Sequence, residues 1–290
     1  AMDWRMAAYC TVQYAALQQH SFVPTLVILC SDIQVSPASI AYYYFVVSNS
    51  LNLSCHRHLT PRPLTTMSNP NNTHSLHPNL VVGPSKAYST LFTEMRKADN
   101  SPVVFASYAR RAMRLLAEDA IAELPTKQTQ IVTPCGPTAG TELDVDRICA
   151  ISIIRAGDSL LQAVLECLPE AHVGKILIQR NEESKEKEPI LYYSKMPPGV
   201  ENMHILLCDP MLATGGSALC AIETLKEKYG IKTEKIIFAN MICCPEGLKA
   251  MGASYPEIKI VTACIDEKLN DEKYIVPGLG DYGDRFFNTV

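Results

Sequence analysis

The sequence predicts an α/β fold with a mostly parallel central sheet flanked by helices. Short apolar runs rich in β-branched residues alternate with amphipathic stretches of helical spacing, which is typical of parallel strands joined by crossover helices. The chain has 290 residues, of which 47% are hydrophobic and 19% charged, so it can bury a sizeable core. No internal repeat interrupts this pattern.

The elements can be predicted in order from about residue 76 onward. The first predicted helix covers residues 101–123, where apolar residues recur at helical spacing, and it ends before Pro125. Strands are predicted at residues 148–154, 173–179, 190–193, 204–208, 236–242 and 258–264. Helices are predicted at residues 101–123, 159–167, 217–229 and 246–253, and Gly230 is expected to end the third of these.

Residues 1–75 differ from the rest of the chain. They are rich in proline and poor in charge, and they end in the polar stretch SNPNNTHSLHP at residues 68–78. We predict a poorly ordered N-terminal extension, a linker and one domain over residues 76–290. Neither apolar run of the extension, at residues 22–30 and 40–47, reaches the roughly 18 residues of a transmembrane helix.

Charge and cysteine content exclude several classes of function. The net charge of −4 argues against nucleic acid or an anionic membrane as the main partner. The eleven cysteines contain no Cys-x-x-Cys pair and several lie in apolar runs, so a structural zinc site is not expected. Cysteines that pack as reduced thiols are typical of a cytoplasmic protein, which is the predicted location.

The most informative segment is HILLCDPMLATGGSA at residues 204–218, which passes from a strand through a loop into a helix. The glycines and hydroxyls of 214–217 stand at the helix start, where exposed amides and the helix dipole favour a phosphate. Asp209, at the strand end, suits ribose hydroxyls. The segment has neither a Walker lysine nor a G-x-G-x-x-G pattern. From these residues alone, an ordinary strand-to-helix turn with a glycine-rich N-cap stays an alternative, and a phosphate site is the favoured interpretation.

The stretch DPMLATGGS resembles the loop that binds 5-phosphoribosyl 1-pyrophosphate (PRPP) in uracil phosphoribosyltransferases. Pro210 stands where other type I phosphoribosyltransferases usually carry a second acidic residue, as in the uracil branch. The resemblance implies a type I phosphoribosyltransferase fold with a small hood. It assigns PRPP contacts to Asp209, Pro210, Met211, Leu212, Ala213, Thr214, Gly215, Gly216 and Ser217.

Two further segments match the same family in the expected order. ISIIRAGDS at residues 151–159 resembles its pyrophosphate loop and assigns Arg155 to PRPP. An arginine before a glycine turn also suits a diphosphate on chemical grounds. KILIQRNEE at residues 175–183 resembles a segment whose arginine, here Arg180, also reaches PRPP. Without the resemblance, Arg180 reads as a solvated charge.

The segment YIVPGLGDYGD at residues 274–284 resembles the uracil-binding segment of the family. The resemblance assigns uracil contacts to Ile275, Gly280, Asp281 and Tyr282, and it also assigns Asp281 to PRPP, through water-bound magnesium. It implies catalytic roles for Asp281, Arg155 and Asp209. Main-chain donors and acceptors in such a loop can match the uracil edge and reject cytosine. Residues 264–274 are expected to form part of a water-excluding hood.

The resemblance implies the reaction of uracil with PRPP to give UMP and diphosphate, with Mg²⁺ as cofactor. It also implies a homo-oligomer and a GTP activator near Lys97, Arg111 and Arg114. Two alternatives stay open: a catalytically silent nucleotide-binding regulator on the same fold, and an RNA-binding regulator. The intact motifs argue against the first and the acidic balance against the second.

Overall fold

A computed structural model describes residues 75–180 and 189–289. The predicted N-terminal extension up to residue 74, and the loop at residues 181–188, lie outside the described residues. Within the described ranges, no helix is long and apolar enough to cross a membrane. The cysteines of these ranges are free thiols.

The described chain contains twelve strands and six helices, with short 3-10 turns at Val200–Asn202 and Thr233–Lys235. The strands are β1 (Leu80–Val82), β2 (Thr126–Thr133), β3 (Gly136–Leu143), β4 (Ile148–Ile154), β5 (His172–Arg180), β6 (Pro189–Lys195), β7 (His204–Cys208), β8 (Met211–Leu212), β9 (Ile236–Cys243), β10 (Lys259–Ile265), β11 (Lys268–Leu269) and β12 (Ile275–Val276). The helices are α1 (Ala87–Arg96), α2 (Pro102–Ile121), α3 (Gly157–Cys167), α4 (Gly216–Tyr229), α5 (Pro245–Ser254) and α6 (Tyr282–Phe287).

The central sheet has eight strands in the order β1-β10-β9-β7-β4-β5-β6, and the short β8 pairs with β9. Every pairing is parallel except that of β5 with β6, which is antiparallel. The prediction of a mostly parallel sheet is therefore confirmed. The antiparallel direction of β6 was not predicted, because strand direction at an edge depends on the connecting loop and not on the strand's own residues.

Alternate residues of the central strands enter two separate hydrophobic clusters, one on each face of the sheet. In β7, for example, Leu206 packs on the face covered by α1, α2, α3 and α6, whereas Ile205 and Leu207 pack on the face covered by α4 and α5. Because both faces are buried, the central strands are apolar at most positions, which explains the nearly continuous apolar runs in the sequence. Gly230 ends α4 in the left-handed conformation, as predicted.

Two small antiparallel sheets stand outside the central one. β2 and β3 form a hairpin whose residues are exposed or half-buried, and the sequence did not predict it. Its strands carry mainly polar and small residues, so they lack the apolar alternation by which strands are recognised. β11 and β12 form the second pair, over residues that were predicted to contribute to a hood.

Candidate active site

A cavity of about 910 Å³ opens at the carboxyl ends of β4 and β7. These two strands are adjacent and parallel, and Ser152 pairs with Cys208 near their ends. After β4 the sheet continues through β5 in one direction, and after β7 through β9 in the other. This reversal is the position at which open α/β sheets form a ligand crevice. The fold therefore brings the loops after β4 and β7 to one site.

The loop after β7 forms one wall of the cavity. Asp209 and the run from Met211 to Ala218 line it, and α4 begins there at Gly216. Gly215 precedes the helix with a φ of 87°, in the left-handed region that glycine adopts without strain. The Thr214 hydroxyl accepts the Gly216 amide at 3.4 Å. Helix start, glycines and hydroxyls thus meet at one concave surface, as an anion site requires.

The loop after β4 forms the neighbouring wall. Arg155 and Ala156 line the cavity, and Gly157 begins α3. A Cβ atom at Gly157 would lie 2.2 Å from the carbonyl oxygen of Cys208 and 3.0 Å from the Ser152 hydroxyl. Only a residue without a side chain lets this loop approach the end of β7 so closely. The start of α3 is therefore packed directly against the end of β7.

This packing predicts that Gly157→Ala destabilises the protein by about 1–3 kcal/mol, because the added methyl overpacks a site bounded by main-chain atoms. Urea unfolding followed by circular dichroism would measure the change. Gly216→Ala is a matched control for stability, because it also begins a helix at the cavity but its Cβ would meet nothing closer than 3.7 Å. Equal free energies of unfolding for the two variants would contradict the close approach of Gly157 to the Cys208 carbonyl.

The C-terminal segment closes the cavity from the other side. Ile275 of β12 and the run from Gly280 to Gly283 line it, together with Glu272, Lys273 and Tyr274 of the β11–β12 connection. Asp281 caps the N-terminus of α6, where its carboxylate accepts the Asp284 amide at 2.9 Å. The glycine-rich loop after β7 and the irregular turn before α6 therefore face one shared space.

Comparison with known proteins identifies this arrangement. The family model described as uracil phosphoribosyltransferase matches residues 82–289, which include every segment that lines the cavity. The chain belongs to the uracil phosphoribosyltransferase family. The parallel central sheet and its flanking helices are those that the sequence predicted.

Individual relatives of the uracil phosphoribosyltransferase family agree with this. The chain is similar to uracil phosphoribosyltransferase 1 of Schizosaccharomyces pombe, with 44% identity over 72% of this chain and 94% of the relative. It is also similar to uracil phosphoribosyltransferase of Dictyostelium discoideum, with 43% identity over 69% of this chain and 91% of the relative. Among solved structures, the chain is similar to the AQ2163 protein from Aquifex aeolicus, with 30% identity and a TM-score of 0.62. The match covers 72% of this chain and 97% of the AQ2163 chain.

In this member of the uracil phosphoribosyltransferase family, a buried ion pair holds the turn that precedes α6. Arg96, the last residue of α1, donates to both carboxylate oxygens of Asp266, at 2.8 and 2.6 Å. The same guanidinium donates to the Gly278 carbonyl at 2.9 Å, while the Gly278 amide donates to Asp266 at 2.8 Å. A bidentate pair that is also bonded to main chain fixes geometry well. Both the N–H and the C=O of Gly278 in this turn are thus hydrogen-bonded to the ion pair.

Arg285 supplies a second fixation of the same turn. Its guanidinium donates to the carbonyls of Leu279 at 2.7 Å, Met95 at 2.9 Å and Lys97 at 2.7 Å, and it lies 4.2 Å from the Phe105 ring centre. Burial lowers the pKa of Arg285, but an arginine stays charged throughout the physiological range. The cavity-facing main chain of 280–283 is therefore anchored to α1 and α2.

Tyr282 faces away from the cavity with its side chain. The phenol donates to the Ser159 hydroxyl at 3.0 Å, and its ring packs edge-on against Phe105 with centres 5.6 Å apart. Burial raises the pKa of Tyr282 far above the neutral range, so the phenol stays protonated. The side chain of Tyr282 is therefore committed to this buried packing.

Most of the residues assigned to the site from the sequence line the cavity. They are Arg155, Asp209, Met211, Leu212, Ala213, Thr214, Gly215, Gly216, Ser217, Ile275, Gly280, Asp281 and Tyr282. Pro210 does not line it: it is buried, and its carbonyl accepts the amides of Met241 and Ile242 at 3.0 Å each. Its contribution is to shape the loop, not to form part of the cavity wall. Arg180 ends β5 beside the undescribed residues 181–188, so its role stays a prediction.

Several contributors to the site were not found in the sequence. Arg96 and Asp266 are separated by 170 positions, and no local pattern marks them as partners. Glu272, Lys273 and Tyr274 line the cavity from the hood, where only the segment and not the residues had been predicted. In the sequence, only their position beside or within the segment YIVPGLGDYGD could have indicated that these three residues line the site.

Proposed function

We propose that this chain transfers the phosphoribosyl group of PRPP to N1 of uracil, forming UMP and releasing diphosphate. The observation that carries the proposal is the single cavity lined by both the loop after β7 and the turn before α6. One segment has the chemistry of a phosphate site and the other the chemistry of a base site. A nucleotide needs both within one site, and family membership supports the same conclusion.

The proposed reaction breaks the bond between ribose C1 and the diphosphate oxygen and forms a bond from C1 to uracil N1, which loses its proton. Positive charge develops on the sugar ring as the diphosphate departs, so binding and orientation contribute most to catalysis. In this proposal the amides and hydroxyls of 214–217 hold the 5′-phosphate, and Asp209 orients the ribose. Arg155 and Arg180 neutralise the leaving diphosphate.

The base is proposed to bind against the main chain of Ile275 and of residues 280–282. Uracil presents acceptors at O2 and O4 and a donor at N3, and a fixed backbone edge can complement this pattern. Cytosine exchanges donor and acceptor at positions 3 and 4, so buried groups of the protein would lose their partners. The two arginine anchors of the turn support this proposal, because a mobile edge could not discriminate in this way.

The cavity has the donor chemistry that suits Mg²⁺. It is lined by the carboxylates of Asp209, Glu272 and Asp281, and hard oxygen ligands are those that Mg²⁺ prefers. Among the described residues, no group of three or more metal-ligating side chains is assembled. Such a site fits a cation held partly by substrate oxygens and water, and in this proposal Asp281 holds it through water. Bound Mg²⁺ would neutralise charge on the diphosphate.

Other properties implied by family resemblance are part of the same proposal. Lys97, Arg111 and Arg114 do not line the cavity, and within the described residues Lys97 pairs with Glu94 at 2.7 Å and Arg114 with Glu166 at 3.9 Å. GTP activation through these residues, a homo-oligomer, a cytoplasmic location and the division at about residue 75 stay predictions. The alternative of a catalytically silent regulator has no supporting observation, because the cavity-lining motifs are intact.

The decisive experiment incubates the full chain with PRPP, Mg²⁺ and one of uracil, cytosine, adenine or guanine, and follows diphosphate release together with nucleotide formation by chromatography. We expect release that depends on uracil and yields UMP. Release with a purine base and none with uracil would contradict the proposed substrate. Tight PRPP binding without turnover on any base would favour the silent regulator.

A further inference from the structure

The guanidinium of Arg155, which is about half exposed, contacts the last residues of the described chain. Its Nη2 donates to Asp284 Oδ1 at 2.7 Å, and its Nη1 donates to the Thr289 hydroxyl at 3.0 Å. The Phe287 ring lies beneath it, with 5.6 Å between Cζ and the ring centre. Arg155 is therefore oriented by residues that are 129 to 134 positions away in the sequence.

These partners also fix one another. The Thr289 hydroxyl donates to Asp284 Oδ1 at 2.7 Å, and the Thr289 amide donates to the Asp284 carbonyl at 3.1 Å. The Asp284 amide donates to Asp281, which lines the cavity. Hydrogen bonds from Thr289 and Arg155 lower the pKa of Asp284, so its carboxylate is charged at neutral pH. The carboxylate thus belongs to a small network, not to an isolated surface pair.

The network leaves Arg155 able to bind an anion. These two hydrogen bonds use one N–H of each terminal nitrogen, and a guanidinium has further N–H groups. An arginine on a loop otherwise samples many rotamers, and ordering it when ligand binds costs free energy. A carboxylate, a hydroxyl and a ring that already hold the side chain remove most of that cost.

We propose that Asp284 is a positioning residue for PRPP, which presents Arg155 to the diphosphate with Thr289 and Phe287 as its supports. The inference rests on the proposed function, in which Arg155 binds the leaving diphosphate. Asp284 does not line the cavity and touches no reacting atom in this scheme. It acts through the orientation of Arg155, so its effect must vanish when Arg155 is absent.

The test is a double-mutant cycle of Asp284→Asn and Arg155→Gln. Asp284→Asn alone is expected to lower kcat/KM for PRPP about tenfold, less than the hundredfold that a misplacement of a full ångström can cost. In the Arg155→Gln background the same change is expected to have an effect of less than about twofold. Asp284→Glu should restore part of the activity, and Thr289→Val should give a smaller loss of the same kind.

Glu123→Gln is the matched control. Glu123 pairs with Lys259 at 2.7 Å with exposure close to that of the Arg155–Asp284 pair, and neither residue lines the cavity. We expect no change in kcat/KM from it. Equal losses from Asp284→Asn in both backgrounds would show a merely structural role and overturn the proposal. So would an unchanged kcat/KM in the single variant.

A binding measurement separates this inference from the proposed function. Titration of Mg²⁺ and inorganic diphosphate into the full chain by calorimetry does not depend on which base is used. Asp284→Asn is expected to weaken diphosphate binding about tenfold, and only while Arg155 is present. If the unchanged protein bound diphosphate in this way but made no UMP, the base assignment would fail and the positioning role would stand. Undiminished diphosphate binding by Asp284→Asn would refute the positioning role.

Discussion

Replacing Asp281 by Asn is expected to lower the turnover number for UMP formation by about 100-fold while the protein stays folded. Asp281 has two separable roles in the structure: its carboxylate lines the cavity, and it caps α6 by accepting the Asp284 amide at 2.9 Å. Asparagine caps a helix about as well as aspartate, so the substitution removes the charge and keeps the cap. The loss would then report the charge at the site, where PRPP and Mg²⁺ are proposed to bind.

The measurement is steady-state kinetics with saturating uracil and PRPP, paired with thermal unfolding. Asp281→Ala is the comparison, because it removes both charge and cap and should add a stability loss of about 1 kcal/mol. We expect the two variants to share the kinetic defect and to differ in stability. Full turnover by Asp281→Asn would remove the carboxylate from the mechanism.

Replacing Gly215 by Val is expected to raise KM for PRPP by about 50-fold, which corresponds to about 2.3 kcal/mol of lost binding. Gly215 has a φ of 87°, a conformation that β-branched residues do not adopt without strain. Its Cβ would also lie 3.4 Å from the Ala250 side chain. Relief of the strain must rotate the backbone at the start of α4, so the amides proposed to hold the 5′-phosphate would point elsewhere.

Gly230→Val provides the control within the same helix. Gly230 ends α4 with a φ of 67°, and a Cβ there would meet nothing within 4 Å. Both substitutions should lower the stability of the protein through backbone strain, whereas only Gly215→Val should change the KM for PRPP. Kinetics with PRPP as the varied substrate would decide between them. An unchanged KM in Gly215→Val would contradict the assignment of this loop to the phosphate.

The sequence predicted the buried strands and the ligand loops because each is specified by neighbouring residues. In β7, residues 205–208 are all apolar because both faces of the strand are covered, and Gly215 after it is required by local backbone geometry. The hairpin β2–β3 was missed because its polar strands satisfy each other's main chain without a buried face. Its stability depends on pairing, which a pattern of hydrophobicity does not record.

Contacts between distant parts of the chain explain what else could not be predicted within the site. Arg96 and Asp266 look like ordinary charged residues at the ends of a helix and a strand. Their roles depend on the fold bringing α1 beside the hood. Asp284 likewise ends a recognisable motif, but nothing near it in the sequence indicates Arg155 as its partner. Motifs thus predicted the groups proposed to touch the ligand, whereas the residues that hold those groups in place required the structure.

The anchoring of the turn before α6 has a consequence for biosynthesis. Arg96 precedes Asp266 by 170 positions and Gly278 by 182, so it is translated before either of them. Such non-local contacts form late in folding. The loop after β7 can therefore form in a nascent chain before the turn that precedes α6 has been translated. The edge proposed to bind the base is thus completed after the loop proposed to bind the phosphate.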